Sequence, residues 1–366
     1  MAEILGIGIS HYPPFSGRDE DMASILRNRL EDPDVPQAAK DPAGWPALMR
    51  EEWGDDRGTR AAARHRAAML VGLRKAREAL DRFEPDLVLI WGDDQYENFK
   101  EDIVPPFCVL AYEDMELRPW VHAGESAMMQ GKPNVWNEPA SASFKVRSDR
   151  EAAKHIVSRL LEQEFDVAYA YRPLHHPGLA HAFLNAILYL DYDRKGFPYP
   201  VVPFQINCYG QLVISHRGFA RRFADNRKPL DPPSPSPRRC FDLGAAVARV
   251  CRDSPWRIAL IASSSWSHAF MVDKAWRMRP DVETDKALYT AMVRGDYGFW
   301  RNFTLPQLVD AGGQETLNWF ALVGAMQELG QRCAWSDFVE TYVFNSSKVA
   351  AVFPPAPANR GNLHAQ

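Results

Sequence analysis

Short apolar runs alternate with stretches of helical periodicity along most of the chain. The apolar runs predict buried strands at 4–9, 86–91, 105–110, 166–171, 201–207, 257–262 and 339–344. Apolar residues at three- and four-residue spacing predict helices at 60–83, 148–161, 179–189, 242–251 and 312–329. This alternation is typical of an α/β fold with a central mixed, largely parallel sheet that is flanked by helices.

Three stretches interrupt the alternation and lack strong periodicity. They lie at 17–58, 114–147 and 225–240, and we interpret them as irregular insertions in a single domain that spans 1–366. The second stretch contains Trp120, His122 and Trp136 and is suited to covering a pocket. Directly after it, Ser148 and Glu151 have the spacing of a capping box, which predicts the start of a helix.

Composition and charge favour a small molecule as the partner. The 366 residues are 46% hydrophobic, which is enough for a sizeable core. A formal net charge of -4 gives no basic surface for nucleic acid, and no run of apolar residues is long enough to span a membrane. The five cysteines lack C-x-x-C spacing and suit free thiols in a reducing compartment. We therefore expect a cytoplasmic protein.

Polar side chains suited to catalysis follow the predicted strands. Because the carboxyl ends of parallel strands meet at one edge of a sheet, these side chains are expected to form an active site there. The candidates are His11, the turn Asp93-Asp94-Gln95, the pair His175-His176, His268, and Glu315 at the start of the last long helix.

Each candidate also has a structural interpretation. A single histidine is more often a structural or solvated residue than a ligand. Asp93 and Asp94 are residue types that cap turns, and Glu315 would complement the dipole at a helix N-terminus. Four histidine-bearing or acidic loops at strand ends nevertheless shift the balance toward a functional site.

Five segments, in collinear order over most of the chain, resemble the class III extradiol ring-cleavage dioxygenases. Each segment alone is a weak signal, and their order together is fairly specific. The segments are Ile7-Gly-Ile-Ser-His11, Ile90-Trp-Gly-Asp-Asp-Gln95-Tyr-Glu-Asn-Phe99, Leu174-His-His-Pro177, Ser264-Ser-Trp-Ser-His268 and Gly312-Gly-Gln-Glu315-Thr-Leu-Asn-Trp-Phe320.

The resemblance implies a nonhaem ferrous site that opens the ring of a catechol-like substrate with O2, as in the catalytic β-subunit of protocatechuate 4,5-dioxygenase. It places the metal ligands at His11, Gln95 and Glu315. His268 would be the base beside the substrate, and His176 would donate a proton in later steps. A homo-oligomer is also implied. Residues that would contact the aromatic substrate are His175, Arg172, Tyr96 and Trp266.

This chain departs from the family pattern at Gln95, where the family has a histidine. A carboxamide oxygen is a weaker ligand than an imidazole nitrogen. This departure leaves three alternatives. Either Gln95 itself binds the metal, or Asp93 or Asp94 takes its place, or the Fe(II) is replaced by another ion or lost. The last case leaves an alternative function, either a metal-dependent hydrolase or a metal-free protein that binds an aromatic compound.

Overall fold

The computed structural model describes residues 2–121, 131–217 and 229–356. Within them, eight strands form one mixed sheet in the order β6-β3-β7-β2-β8-β1-β10-β9, and β4 pairs with β5 in a separate two-stranded sheet. The strands are β1 (Ile4–Ile9), β2 (Leu87–Gly92), β3 (Phe107–Leu110), β4 (Met115–Leu117), β5 (Phe144–Val146), β6 (Ala168–Ala170), β7 (Val201–Ile206), β8 (Ile258–Ser263), β9 (Trp335–Val339) and β10 (Lys348–Phe353).

The centre of the sheet is parallel. β7 pairs in parallel with β2, β2 with β8, and β8 with β1. These four strands are buried along their whole length, as expected for strands that are covered on both faces. Antiparallel pairs occur at β3–β7, β1–β10 and β10–β9. The four parallel strands therefore end together at one edge of the sheet.

Helices cover the sheet and pack in pairs. Thr59–Phe83 contacts β1, β10 and His181–Leu190, whereas Leu317–Glu328 contacts β1, β2, β8 and Pro237–Arg252. The helices of the described residues are Ser24–Leu30, Gln37–Lys40, Ala47–Trp53, Thr59–Phe83, Arg150–Glu162, His181–Leu190, Pro237–Arg252, Val282–Arg294, Tyr297–Asn302, Leu305–Asp310 and Leu317–Glu328.

Glycines allow the helices Pro237–Arg252 and Leu317–Glu328 to approach each other closely, and they allow Leu317–Glu328 to approach β1. A Cβ added at Gly8 of β1 would lie 2.1 Å from the Trp319 ring. Between the two helices, a Cβ at Gly244 would lie 1.8 Å from the Ala321 carbonyl oxygen, and a Cβ at Gly324 would lie 2.1 Å from the Phe241 carbonyl oxygen. The helix that follows Glu315 is thus fixed against its neighbours by backbone contact.

The predicted fold class is confirmed: a mixed, mostly parallel sheet is flanked by helices. Most predicted strands and helices occur within a few residues of their expected bounds, although the helix expected at 242–251 starts earlier, at Pro237. The helix predicted at 312–329 begins as a 3-10 turn, Gln314–Thr316, that carries Glu315. This turn joins Leu317–Glu328, so the acid lies just before the helix proper.

The strand predicted at 339–344 is wrong. Strands lie on either side of it, at β9 and β10, and the segment between them is a turn. The backbone N–H groups of Tyr342 and Val343 donate to Glu52 Oε2 at 2.8 and 3.1 Å. A side chain from a distant helix therefore takes the donors that a neighbouring strand would otherwise satisfy.

The capping box predicted at Ser148 is also wrong. Asp149 caps the helix Arg150–Glu162, because its side chain accepts from the Ala152 N–H at 2.8 Å. The Ser148 hydroxyl donates instead to the Val201 carbonyl at 3.1 Å. Adjacent residues were both suitable caps, and tertiary contacts decided between them.

The irregular insertions are described in part. Short helices at Ser24–Leu30 and Ala47–Trp53 lie in the first insertion, and the two-stranded sheet of β4 and β5 lies in the second. His122 and residues 225–228 of the third insertion lie outside the described residues. Among the helices that the structure describes, none combines the length and apolar character needed to cross a membrane.

Candidate metal centre

The parallel strands bring four ionisable side chains together. His11 follows β1 and Asp93 follows β2 directly, while His181 and Glu315 come from the starts of two flanking helical segments. One ligand atom from each residue lies within 4.8 Å of the others. We call His11, Asp93, His181 and Glu315 the ligand cluster.

Hydrogen bonds fix the proton position on His11. Its Nδ1 lies 3.0 Å from Ser263 Oγ, and this hydroxyl donates to the Ala182 carbonyl at 2.7 Å. Since the hydroxyl hydrogen is used there, Nδ1 must donate to the serine oxygen and Nε2 carries a lone pair. Burial lowers the pKa of His11 to about 4, so the ring is neutral. This is the tautomer that binds a metal through Nε2.

Glu315 faces that lone pair. Its Oε2 lies 3.5 Å from His11 Nε2 and accepts the Ser265 N–H at 3.2 Å. Its Oε1 accepts from the Tyr209 hydroxyl and lies 3.2 Å from His268 Nε2. Burial opposes ionisation, but the neighbouring imidazoles, chiefly His268 with its hydrogen bond, lower the pKa of Glu315 below its usual range. An ionised carboxylate and an unprotonated imidazole nitrogen therefore face each other, which a cation between them would stabilise.

The Asp93 side chain is fully buried. Neither of its carboxylate oxygens has a hydrogen-bond partner among the described residues. Burial raises the pKa of Asp93 well above its usual range, and the nearby Glu315 charge adds to the rise. A buried carboxyl group without partners is costly unless something else binds it. A divalent cation would supply both missing contacts and favour ionisation.

A carboxylate orients His181 toward the cluster. His181 Nδ1 lies 2.8 Å from Glu97 Oε2, and the His181 backbone N–H donates to Glu97 Oε1 at 2.8 Å. Although burial disfavours the charged ring, the Glu97 charge raises the pKa of His181 to about 10. A carboxylate that accepts from one imidazole nitrogen while the other nitrogen binds metal is a recurring arrangement in proteins.

Replacing Glu97 with glutamine is expected to weaken divalent metal binding by roughly 10- to 100-fold, because His181 would lose the partner that fixes its orientation. Competition titration of Zn²⁺ against a chelating dye measures this affinity. Glu101→Gln is the matched control, since Glu101 lies in the same segment and instead accepts from the Tyr96 hydroxyl at 2.7 Å. An equal loss in both variants would contradict the role of Glu97.

The donor set fits a divalent transition metal. Two imidazole nitrogens and carboxylate oxygens suit Fe(II), and they also suit zinc and manganese. Two histidines and one carboxylate on one face are the usual ligands of nonhaem Fe(II) oxygenases. The cluster offers this set as His11, His181 and Glu315, with Asp93 as a second acid.

The two predicted catalytic histidines lie in different surroundings. His268 is buried beside Glu315, and its Nδ1 has no hydrogen-bond partner among the described residues. His176 is half-buried, and its Nδ1 accepts the Gly178 N–H at 3.2 Å. It lines a cavity of about 360 Å³ together with Leu117, Leu179 and Leu184. His268 therefore adjoins the ligand cluster directly, and His176 lies at a cavity wall.

Of the three predicted ligands, the structure places His11 and Glu315 in the cluster. Gln95 is half-buried, and its backbone N–H lies 3.3 Å from Glu97 Oε2. Asp94 accepts three backbone N–H groups of the same turn, including that of Asn98 at 2.8 Å, and so stabilises the turn. Asp93 is the acid of this turn that reaches the cluster. Ligation by Gln95 stays a prediction.

The residues predicted to contact the substrate lie in different environments. Arg172 is exposed, and His175 Nε2 pairs with Asp102 at 2.7 Å near the surface. The half-buried Tyr96 donates to Glu101, and its ring lies beside the Lys100 ammonium. Trp266 is fully buried against Trp300 and Trp319 and therefore contributes to the core. None of these placements establishes a contact with substrate.

Sequence reasoning missed His181, Glu97 and Tyr209. One signal was present for the first, because three of the ten histidines fall within residues 175–181. The resemblance directed attention to the His175-His176 pair and away from the third histidine. Tyr209 follows β7, the fourth parallel strand, and none of the predicted site residues follows this strand. Burial and the Glu315 charge raise the pKa of Tyr209 well above its usual range, so its hydroxyl stays a donor.

Comparisons with known proteins find relatives that are named dioxygenases. No protein-family model matches the chain. Relatives with dioxygenase names are 24–30% identical to it over about half of its length. The chain likewise spans only about half the length of the relatives it matches. The likeness to protocatechuate 4,5-dioxygenase stays a prediction.

The relatives are named 2,3-dihydroxyphenylpropionate/2,3-dihydroxicinnamic acid 1,2-dioxygenases. Those from Burkholderia vietnamiensis and Paraburkholderia phymatum are each 30% identical over 195 residues, covering 53% of this chain and 47% of the relative. The protein from Comamonas testosteroni is 27% identical over 207 residues, or 57% of this chain and 50% of the relative. A solved structure of an uncharacterized protein from Escherichia coli K12 covers 78% of this chain and 91% of its own, with 12% identity and a TM-score of 0.42.

Proposed function

We propose that this protein is an extradiol-type dioxygenase that cleaves the ring of a catechol-like compound with O2. Its divalent metal, Fe(II) by resemblance, would be held by His11, His181 and Glu315, with Asp93 beside them. The observation that carries the proposal is the unprotonated Nε2 of His11 that faces the ionised Glu315 at 3.5 Å. The dioxygenase names of the relatives support the reaction class.

His181 would take the place of the histidine that the family has at Gln95. The turn that lacks the expected histidine supplies Glu97, which binds His181 Nδ1 at 2.8 Å. Two imidazoles and a carboxylate would thus be kept, with one imidazole contributed by a different loop. Bound iron would supply a common site for the catecholate and O2, and the protein would supply position and proton transfer.

His268 is suited to take a proton from the substrate. With its Nε2 hydrogen donated to Glu315, a neutral His268 carries the lone pair on Nδ1, which has no partner among the described residues. That nitrogen is able to accept a phenolic proton. Glu315 would stabilise the resulting imidazolium through the same hydrogen bond. This arrangement makes His268 the base of the proposed reaction.

His176 is suited to return a proton. Because its Nδ1 accepts the Gly178 N–H, a neutral His176 carries its hydrogen on Nε2. The nitrogen that bears the hydrogen is the one that donates. Ring cleavage breaks one carbon–carbon bond and places both atoms of O2 in the product, so the reaction needs no external reductant. One proton taken at His268 and one returned at His176 would conserve the number of protons on the protein, and proton exchange with water would restore both histidines.

A metal-dependent hydrolase is the second candidate, and Asp93 favours it. Asp93 and Glu315 together would already neutralise a divalent cation, which leaves less need for a dianionic catecholate. Zinc with histidine and carboxylate ligands activates water for attack on esters and amides. The names of the relatives favour the dioxygenase over the hydrolase.

The proposal is tested by loading the purified protein with Fe(II) without oxygen and then adding O2 and a panel of catechols. We expect O2 consumption and a yellow ring-opened product, both lost on His268→Ala. Zn²⁺-loaded protein is the control and should consume no O2. Ester or amide turnover by the zinc form without any O2 uptake by the iron form would favour the hydrolase. A protein that binds neither metal but binds catechols would be a binding protein.

A further inference from the structure

We propose that a second cavity of about 500 Å³ selects catechols with an uncharged apolar substituent over those with a carboxylate tail. The inference rests on the proposed ring-cleaving function and concerns the substrate of that same site. A cavity of this size is in the range that holds a small-molecule ligand. The relatives, by contrast, are named for substrates that carry a carboxylate.

The cavity adjoins the ligand cluster through three side chains. Tyr209 and Gln314 line it, and the Tyr209 hydroxyl donates to Glu315. Phe270 also lines it, and its ring lies 5.1 Å from the His268 ring. A ring held near Glu315 and His268 would therefore have this cavity on one side. The substituent of the ring is the part that would enter it.

The walls of the cavity are largely apolar. An alkyl or aryl group placed there would be removed from water and would gain affinity in proportion to the area buried. A carboxylate would lose its hydration and would need a new partner to compensate. The apolar lining includes Leu212, Phe270, Met271, Leu305, Pro306 and Val309.

The cations at the cavity are already paired with acids. Lys274 Nζ lies 2.6 Å from Asp281 and 2.6 Å from Asp310. Arg277 Nε lies 2.7 Å from Asp273. Among the residues that the structure describes, two cations and two carboxylates line the cavity, so these side chains add no net positive charge. A carboxylate tail would meet as many acids as cations and would gain no clear electrostatic attraction.

Arg172, one of the predicted substrate contacts, lies elsewhere. It is exposed and lines neither this cavity nor the one beside His176. The uncharged polar groups of the larger cavity, Gln211 and Gln314, are able to donate a hydrogen bond to a neutral substituent such as an ether or a ketone.

The test compares three catechols on the iron-loaded protein: catechol, 3-propylcatechol and 3-(2,3-dihydroxyphenyl)propionate. The last two have tails of nearly equal length and differ in charge. We expect kcat/KM for the propyl compound to exceed that of catechol by about tenfold or more, because three carbons are buried. The carboxylated compound should be no better than catechol. Calorimetric titration of the zinc-loaded protein with the same three compounds gives their Kd values without turnover.

A substitution at the cavity should reverse the preference. Val309 lines the cavity and is 37% exposed, so Val309→Arg would add an unpaired cation without burying it. The ratio of kcat/KM values should move toward the carboxylated compound by at least about fivefold. Val293→Arg is the matched control, because Val293 is 46% exposed on the helix Val282–Arg294 and lines neither cavity.

The outcomes separate this inference from the proposed function. If all three catechols are inert, the proposed function fails. If catechol is cleaved and the carboxylated compound is preferred over the propyl compound in both kcat/KM and Kd, the inference is overturned while the function stands. If Val309→Arg and Val293→Arg shift the preference equally, the cavity is not where the substituent binds, and the inference again fails.

Discussion

Glu315→Gln is expected to lower the affinity for a divalent metal by at least about 100-fold. The substitution keeps the size of the side chain and removes the charge that faces the His11 Nε2 lone pair at 3.5 Å. The pKa of Glu315 is lowered in the fold, so its charge stabilises the metal-free protein and the variant should be somewhat less stable than the parent protein. Metal affinity is therefore compared at a temperature below the unfolding transition of both proteins, where a loss of binding is due to the ligand set and not to unfolding.

Zn²⁺ titration against a chelating dye measures this affinity, and thermal unfolding of the metal-free proteins checks the fold. Gln95→Ala serves as the comparison, with an expected loss below about threefold if His181 is the second imidazole ligand. A loss at Gln95 as large as the one at Glu315 would place the second ligand at Gln95. Unchanged binding in Glu315→Gln would refute the ligand cluster.

Gly244→Ala is expected to destabilise the protein by about 3 kcal/mol. The added Cβ would lie 1.8 Å from the Ala321 carbonyl oxygen, and backbone on both sides limits any adjustment. The helices Pro237–Arg252 and Leu317–Glu328 would have to separate. Since Leu317–Glu328 begins two residues after Glu315, the separation should also displace this carboxylate and weaken metal binding.

Urea unfolding monitored by tryptophan fluorescence measures the free energy of unfolding. Gly298→Ala is the matched control, because Gly298 lies within the helix Tyr297–Asn302 and an added Cβ would approach only Asp296 at 3.6 Å. Alanine should stabilise that helix by about 0.5 to 1 kcal/mol. If the two substitutions changed the free energy of unfolding in the same direction and by a similar amount, close helix contact at Gly244 would not be the cause.

The fold could be predicted largely because its signals are local. Apolar runs such as that of β2 and the periodicity of Thr59–Phe83 depend on neighbouring residues in the chain. The turn between β9 and β10 could not be predicted, because Glu52 satisfies its N–H groups across a separation of about 290 residues. Long-range side-chain contacts of this kind leave no periodic pattern in the sequence.

The candidate site likewise could be predicted only where the signal is local in the sequence. His11 and Glu315 were predicted because each lies at the end of a strand or the start of a helix. His181 was not, since its orientation depends on Glu97, which lies 84 residues away in the chain. The proton position on His11 depends on Ser263 and the Ala182 carbonyl, which come from two further segments. Such relations require the three-dimensional arrangement.

In the proposed site, His181 replaces the histidine that the family has at Gln95, and this has a wider consequence for how such sites diverge. His11 and Asp93 follow β1 and β2, whereas His181 begins the helix that follows β6, and yet their ligand atoms lie at nearly the same point in space. A ligand lost from one segment could therefore be supplied by another, and the metal would not need to move. Proteins of this architecture could thus retain a metal centre after the sequence motif for it has been lost. A search for donor atoms that lie close together in the structure would find centres that motif alignment misses.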